Sequence, residues 1–396
     1  MEGTRHETSA PVSATALPAR GGFRIDRGEI AGAFGDLGTL IPFLVAYLAV
    51  VKLDPGAVLL AFGVAYIAVG AIYRTPFPVQ PMKAIGAVAT TQSVHAAVLT
   101  PAAIQAAGLV TAVVWMVLAA TGLAKRLADW MPRSLTLGIV LGLGLSLMLD
   151  GIRMMADGWV LAAGLLAGTL LLIERRRFPA MFLVLVVGGC VAVWSDPGLL
   201  GRLAAVEANP RLPTIDLGGI GWNELWVGAV LLALPQVPLT LGNALIATVE
   251  QANRLFPDRP VTERRVAFST GLMNLGSGLI GGVPMCHGAG GMAGHVQFGA
   301  RTGAAPILIG ILLLAGGVLF ADSVSVFFKA FPLPVLGVIL FLAGAQLALG
   351  FCALGNDKAE RFVALTTAAF AVWHVGAAFV FGFAVHVALR RGWVRL

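Results

Sequence analysis

Charge is scarce in this chain. Asp, Glu, Lys and Arg together make up 12% of the 396 residues, against about 25% in an average soluble domain. With 58% of residues hydrophobic and a mean hydropathy of +0.88, a water-soluble fold would expose large apolar patches. That excludes a soluble enzyme, a disordered protein and a nucleic-acid binder. Cysteine is rare as well. Cys190, Cys286 and Cys352 stand far apart, without the pair spacing of a disulfide framework or a zinc site. An apolar signal segment is also missing. Residues 1–24 are polar and read as a cytosolic tail.

What is abundant is glycine, at 50 residues, roughly twice the soluble share. Such an excess suits closely packed transmembrane helices. Fourteen apolar runs can be traced, at 28–50, 55–73, 79–98, 102–122, 133–149, 158–173, 179–195, 223–250, 265–282, 286–299, 304–321, 332–350, 360–373 and 375–389. A full crossing needs about 20 residues, and a half-crossing fewer. With the N-terminus inside and the runs alternating, 21 Lys and Arg fall inside and five outside (Lys52, Arg153, Arg202, Arg211 and Lys329). Lys83 lies in the interior of a run. The net charge of +7 therefore reports topology, with an even number of crossings and both ends cytosolic, in the cell membrane.

The halves resemble each other. Met131-Pro132 and Phe331-Pro332 open similar runs, continuing Leu137-Gly138-Ile139 and Leu336-Gly337-Val338. Pro81-Met82-Lys83-Ala84 has its counterpart in Pro284-Met285-Cys286-His287. Seven runs per half is an odd number, so the second half starts from the opposite side. The expectation is an all-α polytopic protein of about 14 segments in a 7+7 inverted repeat, an arrangement common in secondary transporters.

Four segments contain residues that a continuous helix disfavours, and broken helices are tolerated in a membrane where they line a cavity. In Glu29–Pro42, Asp36 sits near mid-span. It serves either as a cap on local backbone or as a substrate or proton-coupling group. In Pro76–Ala89, three prolines exclude helix until Met82. Gln80 and Lys83 then stand at a helix N-terminus, where exposed N–H groups and the helix dipole favour an anion; the bland reading of Lys83 is snorkelling to the interface. In Ala233–Asn243, Gln236 and Asn243 offer uncharged hydrogen-bonding groups, for a substrate or for neighbouring helices. In Gly281–Gly294, the backbone at Cys286, Gly288, Ala289 and Gly290 suits a small oxyanion, while His287 is either structural or a proton carrier. Glu250 is a further proton candidate. Gly288-x-Gly290-x-x-Ala293 loosely matches a dinucleotide fingerprint but lacks the βαβ setting. His287-Gly288-Ala289-Gly290 has no accompanying G-x-S-x-G elbow. No catalytic constellation, metal site or cofactor is expected.

Three of these segments carry a family resemblance. Gly35–Phe43 (GDLGTLIPF), Pro78–Ala89 (PVQPMKAIGAVA) and Pro284–Gly303 (PMCHGAGGMAGHVQFGARTG) resemble the molybdate transporter family, which belongs with the sulfate-permease superfamily. The likeness runs in order along nearly the whole chain. It implies the fold shared with uracil and nucleobase permeases, with half-helices and short extended segments in spans 3 and 10 whose N-termini frame the substrate. It implies a core domain from spans 1–4 and 8–11 (residues 25–130 and 222–322) and a gate domain from spans 5–7 and 12–14 (131–221 and 323–396). The chain ends at Leu396, soon after the last run, which is expected of the molybdate branch without a cytosolic STAS domain. A small dianion, molybdate first and sulfate second, would sit between Gln80–Lys83 and Cys286–Gly290, with Asp36, Thr39, Gln236 and Asn243 completing the shell. Proton coupling through Asp36, Glu250 or His287 is expected. The partners are the oxyanion, the lipid bilayer and a possible second copy in a homodimer, with no nucleic acid. The rivals are a nucleobase–proton symporter, an anion channel and an integral-membrane enzyme.

Overall fold

A computed structural model describes residues 22–45, 47–48, 51–90, 99–172, 180–205, 208–329, 331–373 and 375–394. Two short helices, α1 (Arg27–Ala33) and α2 (Leu37–Val45), are separated by a turn at 34–36. α3 (Pro55–Tyr73) leads into an extended stretch carrying β1 (Gln80–Pro81), which runs into α4 (Lys83–Thr90). α5 (Pro101–Thr121), α6 (Leu123–Trp130), α7 (Arg133–Met155), α8 (Trp159–Leu172), α9 (Ala180–Ser195) and α10 (Leu199–Ala205) follow. Next come α11 (Trp222–Trp226), α12 (Leu234–Thr240), α13 (Thr248–Leu255) and α14 (Glu263–Leu279), and then β2 (Met285–Cys286) and α15 (Ala289–Gln297). The chain closes with α16 (Ala304–Leu319), α17 (Ala321–Lys329), α18 (Leu333–Ala348), α19 (Lys358–Trp373) and α20 (Val375–Arg390).

Local chemistry sets many of these boundaries. Asp54 and Thr100 accept from backbone N–H groups at the starts of α3 and α5, and each is followed by a proline that fits the first helical position. Arg74 and Gly122 end the same helices in the left-handed conformation, at φ 55° and 72°. Among the described residues, five helical runs are long and apolar enough to span a bilayer: Pro55–Tyr73, Pro101–Thr121, Arg133–Leu172, Trp222–Leu255 and Leu333–Cys352. The helices Leu183–Ser195 and Leu199–Ala205 meet at a bend of 104°.

One expected interruption is absent. The segment around Pro235 and Pro238 does not break its helix. α11, α12 and α13 are joined through π-helical turns at Val227–Ala233 and Leu241–Ala247 into the single run Trp222–Leu255. Pro235 falls at the start of α12, and the wider turn before it absorbs the missing proline N–H. With a 3-10 turn at Ala156–Gly158 between α7 and α8, the fifth and sixth apolar runs are contiguous in the helical stretch Arg133–Leu172. Its 40 residues are about twice what one crossing needs.

Helices meet where glycine removes the side chain. α3 and α16 cross antiparallel, with Gly63 against Gly310 and Gly70 against Gly303. α7 and α18 also cross antiparallel, with Gly144 against Gly344 and Gly151 against Gly337. A methyl group at any of these positions would press into the partner's backbone. The polarity of the molecule is that of a membrane protein. Its interior holds Gln105, Thr111, Thr270, Asn274, Ser277 and Thr367, while Leu171 and Val380 face outward at 78% and 69% exposure.

Candidate functional site

The two extended segments meet at the centre of the molecule. β1 and β2 pair antiparallel, Gln80 opposite Cys286 and Pro81 opposite Met285, and the Met82 N–H donates to the Pro284 carbonyl at 2.9 Å. The pairing places the starts of α4 and α15 beside one another. Proline makes this possible, because Pro76, Pro78 and Pro81 keep the chain extended until Lys83. Asn274 of α14 secures the second strand. Its Oδ1 accepts from the Met285 N–H at 2.9 Å, and its Nδ2 donates to the Met285 carbonyl at 2.6 Å.

His287 ties the strands together from behind. Its Nδ1 faces the Pro78 carbonyl at 2.7 Å, so that nitrogen carries the proton. In the neutral ring, Nε2 then accepts from the Ser269 hydroxyl at 2.9 Å, which also meets the Tyr73 hydroxyl at 2.8 Å. Phe77 closes the pocket at a ring separation of 4.9 Å. Asp36, at the break between α1 and α2, is 2% exposed and accepts from Gln80 Nε2 at 2.7 Å and the Tyr66 hydroxyl at 3.1 Å. Gly288 and Gly291 pack α15 so tightly on Gln80 and Asp36 that a β-carbon at either would collide with those side chains.

Gln236 is a cap. Its Oε1 accepts from the Ala84 N–H at 2.8 Å, and its Nε2 donates to Thr240 Oγ1 at 2.8 Å. A glutamine on one half of the chain thus closes the N-terminus of a helix in the other half. Replacing it, Gln236→Leu, orphans the Ala84 N–H. The expected cost is about 1–3 kcal/mol of stability, read as a lower melting temperature in detergent, whereas an unchanged melting curve would count against the capping role.

Two cavities adjoin this frame. The smaller, about 320 Å³, lies between the Gly290–Ala293–Gly294–Gln297 face of α15 and the Ala343–Gln346–Leu347 face of α18, with Asp36, Phe43 and Lys83 on its wall. The larger, about 620 Å³, shares Lys83, Gly290, Gln346 and Leu347 with it. It continues past Asn243 to Glu250, Met131 and Arg133. Among the described residues, the half-buried Lys83 makes no ion pair.

The expected site residues therefore fall into two groups. Asp36, Lys83, Asn243, Glu250 and Gly290 line these cavities. Gln80, Gln236, Cys286 and His287 lie buried in the frame behind them, with Gly288 and Ala289 at the start of α15. Thr39 belongs to α2, and its side chain is outside the described residues. Sequence reasoning missed Gln346, Gln297, Arg133 and Tyr66. Gln346 carried a signal, as the only polar side chain in the run Leu333–Leu349.

Known proteins resemble the chain along its length. Residues 28–147 and 228–347 match a family described as the molybdate transporter of the MFS superfamily. The two segments begin 200 residues apart and end 200 residues apart. The chain is 32% identical to molybdate transporter 2 of Arabidopsis thaliana, over 89% of this chain and 85% of that protein. It is 30% identical to molybdate transporter 1 of Chlamydomonas reinhardtii, over 89% of each. Its fold is similar to the transmembrane domain of a cyanobacterium bicarbonate transporter, BicA, with a TM-score of 0.66 and 16% identity, over 89% of this chain and 97% of that one. It is also similar to the murine anion transporter Slc26a9 in the inward-facing state, with a TM-score of 0.68 and 11% identity, over 94% of this chain and 70% of that one.

Proposed function

The chain belongs to the molybdate transporter family, and from that premise we propose that it is a secondary active transporter importing a tetrahedral oxyanion, molybdate ahead of sulfate. The observation that carries this reading is Lys83. Its half-buried ammonium stands at the first residue of α4, on the wall of a cavity that also contains Gly290 from the start of α15. Two helix N-termini and a full positive charge converge on one space. The buried residues behind that space hold its shape: Gln236 caps α4, and the Asp36–Gln80 pair seats α15.

The antiparallel pairing of α7 with α18 and of β1 with β2 supports a 7+7 inverted repeat of about fourteen segments, because each pair joins corresponding positions of the two halves. In this reading a core domain (25–130 and 222–322) carries the anion and moves against a gate domain (131–221 and 323–396). Both termini are cytosolic, and the larger cavity opens to the cytosol past Arg133 and Glu250. Importing a dianion into a negative-inside cell costs about 5 kcal/mol for two charges at 100 mV, so a proton gradient is assigned as the driving force. Of the three proton candidates, His287 has both ring nitrogens engaged, whereas Asp36 and Glu250 reach the cavities.

Uptake of labelled molybdate into proteoliposomes tests this directly. Accumulation above equilibrium under an inward proton gradient, collapsed by an uncoupler, is the expected result. Flux that only equilibrates would overturn the coupled-transport reading.

A further inference from the structure

The polar side chains of the frame behind the cavities are already used within the protein. Gln80 and Tyr66 serve Asp36, Gln236 serves Ala84 and Thr240, and His287 serves Pro78 and Ser269. Gln346 differs. It is exposed, lines both cavities at the place they share with Lys83 and Gly290, and makes no hydrogen bond among the described residues. It also comes from the other side of the space, since α18 packs along α7 rather than with α4 and α15. A carboxamide in an otherwise apolar span is costly to insert unless something satisfies it.

We infer that the Gln346 carboxamide is a ligand of the bound anion, contributed by the α7–α18 pair opposite Lys83 and the N-terminus of α15. This deepens the function proposed above and rests on it. The anion's oxygens accept from Lys83 and the α15 backbone on one side and from Gln346 Nε2 on the other, so an occupied site bridges the two packed units and an empty one does not.

Calorimetric titration of the purified full-length protein with sodium molybdate tests the assignment. Gln346→Leu is expected to weaken binding about 10- to 100-fold, the usual range for a hydrogen bond to a charged group, with the melting temperature of the empty protein unchanged. Gln346→Glu is expected to abolish binding by repulsion. Gln346→Asn keeps the amide but shortens its reach; it is expected to fall between wild type and Gln346→Leu, and it serves if the leucine variant does not fold. Wild-type affinity in Gln346→Leu or Gln346→Asn, with binding lost in Lys83→Ala, would overturn this inference and leave the site reading standing. Wild-type affinity in Lys83→Ala as well would overturn both.

Discussion

Alanine at position 83 is expected to remove saturable molybdate uptake and to weaken molybdate binding by more than about 100-fold. Two unit charges 4 Å apart interact by about 4 kcal/mol at an effective dielectric near 20, and a dianion doubles that. If desolvation cancels two thirds, the remainder of roughly 2.7 kcal/mol still corresponds to about 100-fold. The ammonium is half-buried and makes no ion pair among the described residues. Its removal should therefore leave the melting temperature of the empty protein unchanged or raise it, because an unpaired buried charge is itself a cost. Lys83→Arg keeps the charge but spreads it over a planar fork, so partial binding is expected. Calorimetry and a melting curve on the same preparations decide the matter. Wild-type binding in Lys83→Ala would remove the anion site from this place.

Asn274→Leu is expected to act in the opposite way, through the fold. Asn274 is fully buried and brackets Met285, accepting from its N–H and donating to its carbonyl. Leucine has a similar volume but leaves both backbone groups without these partners in a place where water cannot easily replace them. Each orphaned group costs about 1–3 kcal/mol, so the expected loss is roughly 2–6 kcal/mol. That is a large fraction of the margin on which an ordinary domain survives. The measurement is thermal stability in detergent and the yield of monodisperse protein. Molybdate affinity in any folded fraction should fall too, because β2 positions the start of α15. A variant as stable as wild type would show that the bracket is dispensable.

The contrast between these substitutions indicates how much could be read from the amino acids alone. The breaks in the first, third and tenth segments are visible in sequence because Pro and Gly act locally. Pro76, Pro78 and Pro81 forbid helix, and Gly288 to Gly291 permit close approach wherever the chain folds. The break expected at Pro235 and Pro238 fails because its remedy is a change of helical register, and neighbouring side chains decide that register. Lys83 could be picked out as a basic residue in the interior of an apolar run, away from its ends. The division of labour among Asp36, Gln80, Gln236 and His287 could not. Each has the chemistry of a ligand, and only the fold shows that Gln236 and His287 spend their donors and acceptors on the backbone of distant segments. Gln346 escaped for the converse reason. A single amide in an apolar helix has no motif around it, and its significance comes from what stands opposite.

The pairing of β1 with β2 has a consequence for how the molecule is made. Gln80 and its partner Cys286 are about 200 residues apart, and a ribosome adding roughly 5–20 residues per second needs about 10–40 s to cover that distance. During that interval the first strand has emerged without its mate, and for the first part of it α4 also lacks the cap that Gln236 supplies. The half-made chain passes through the insertion machinery with the edge of β1 unpaired, although Asp36, Tyr66 and Gln80 can already bond to one another. The paired-strand frame is thus completed only late in biosynthesis, and a nascent chain that stalls before Pro284 would present to the cell's quality control an extended segment, residues 76–82, without its mate.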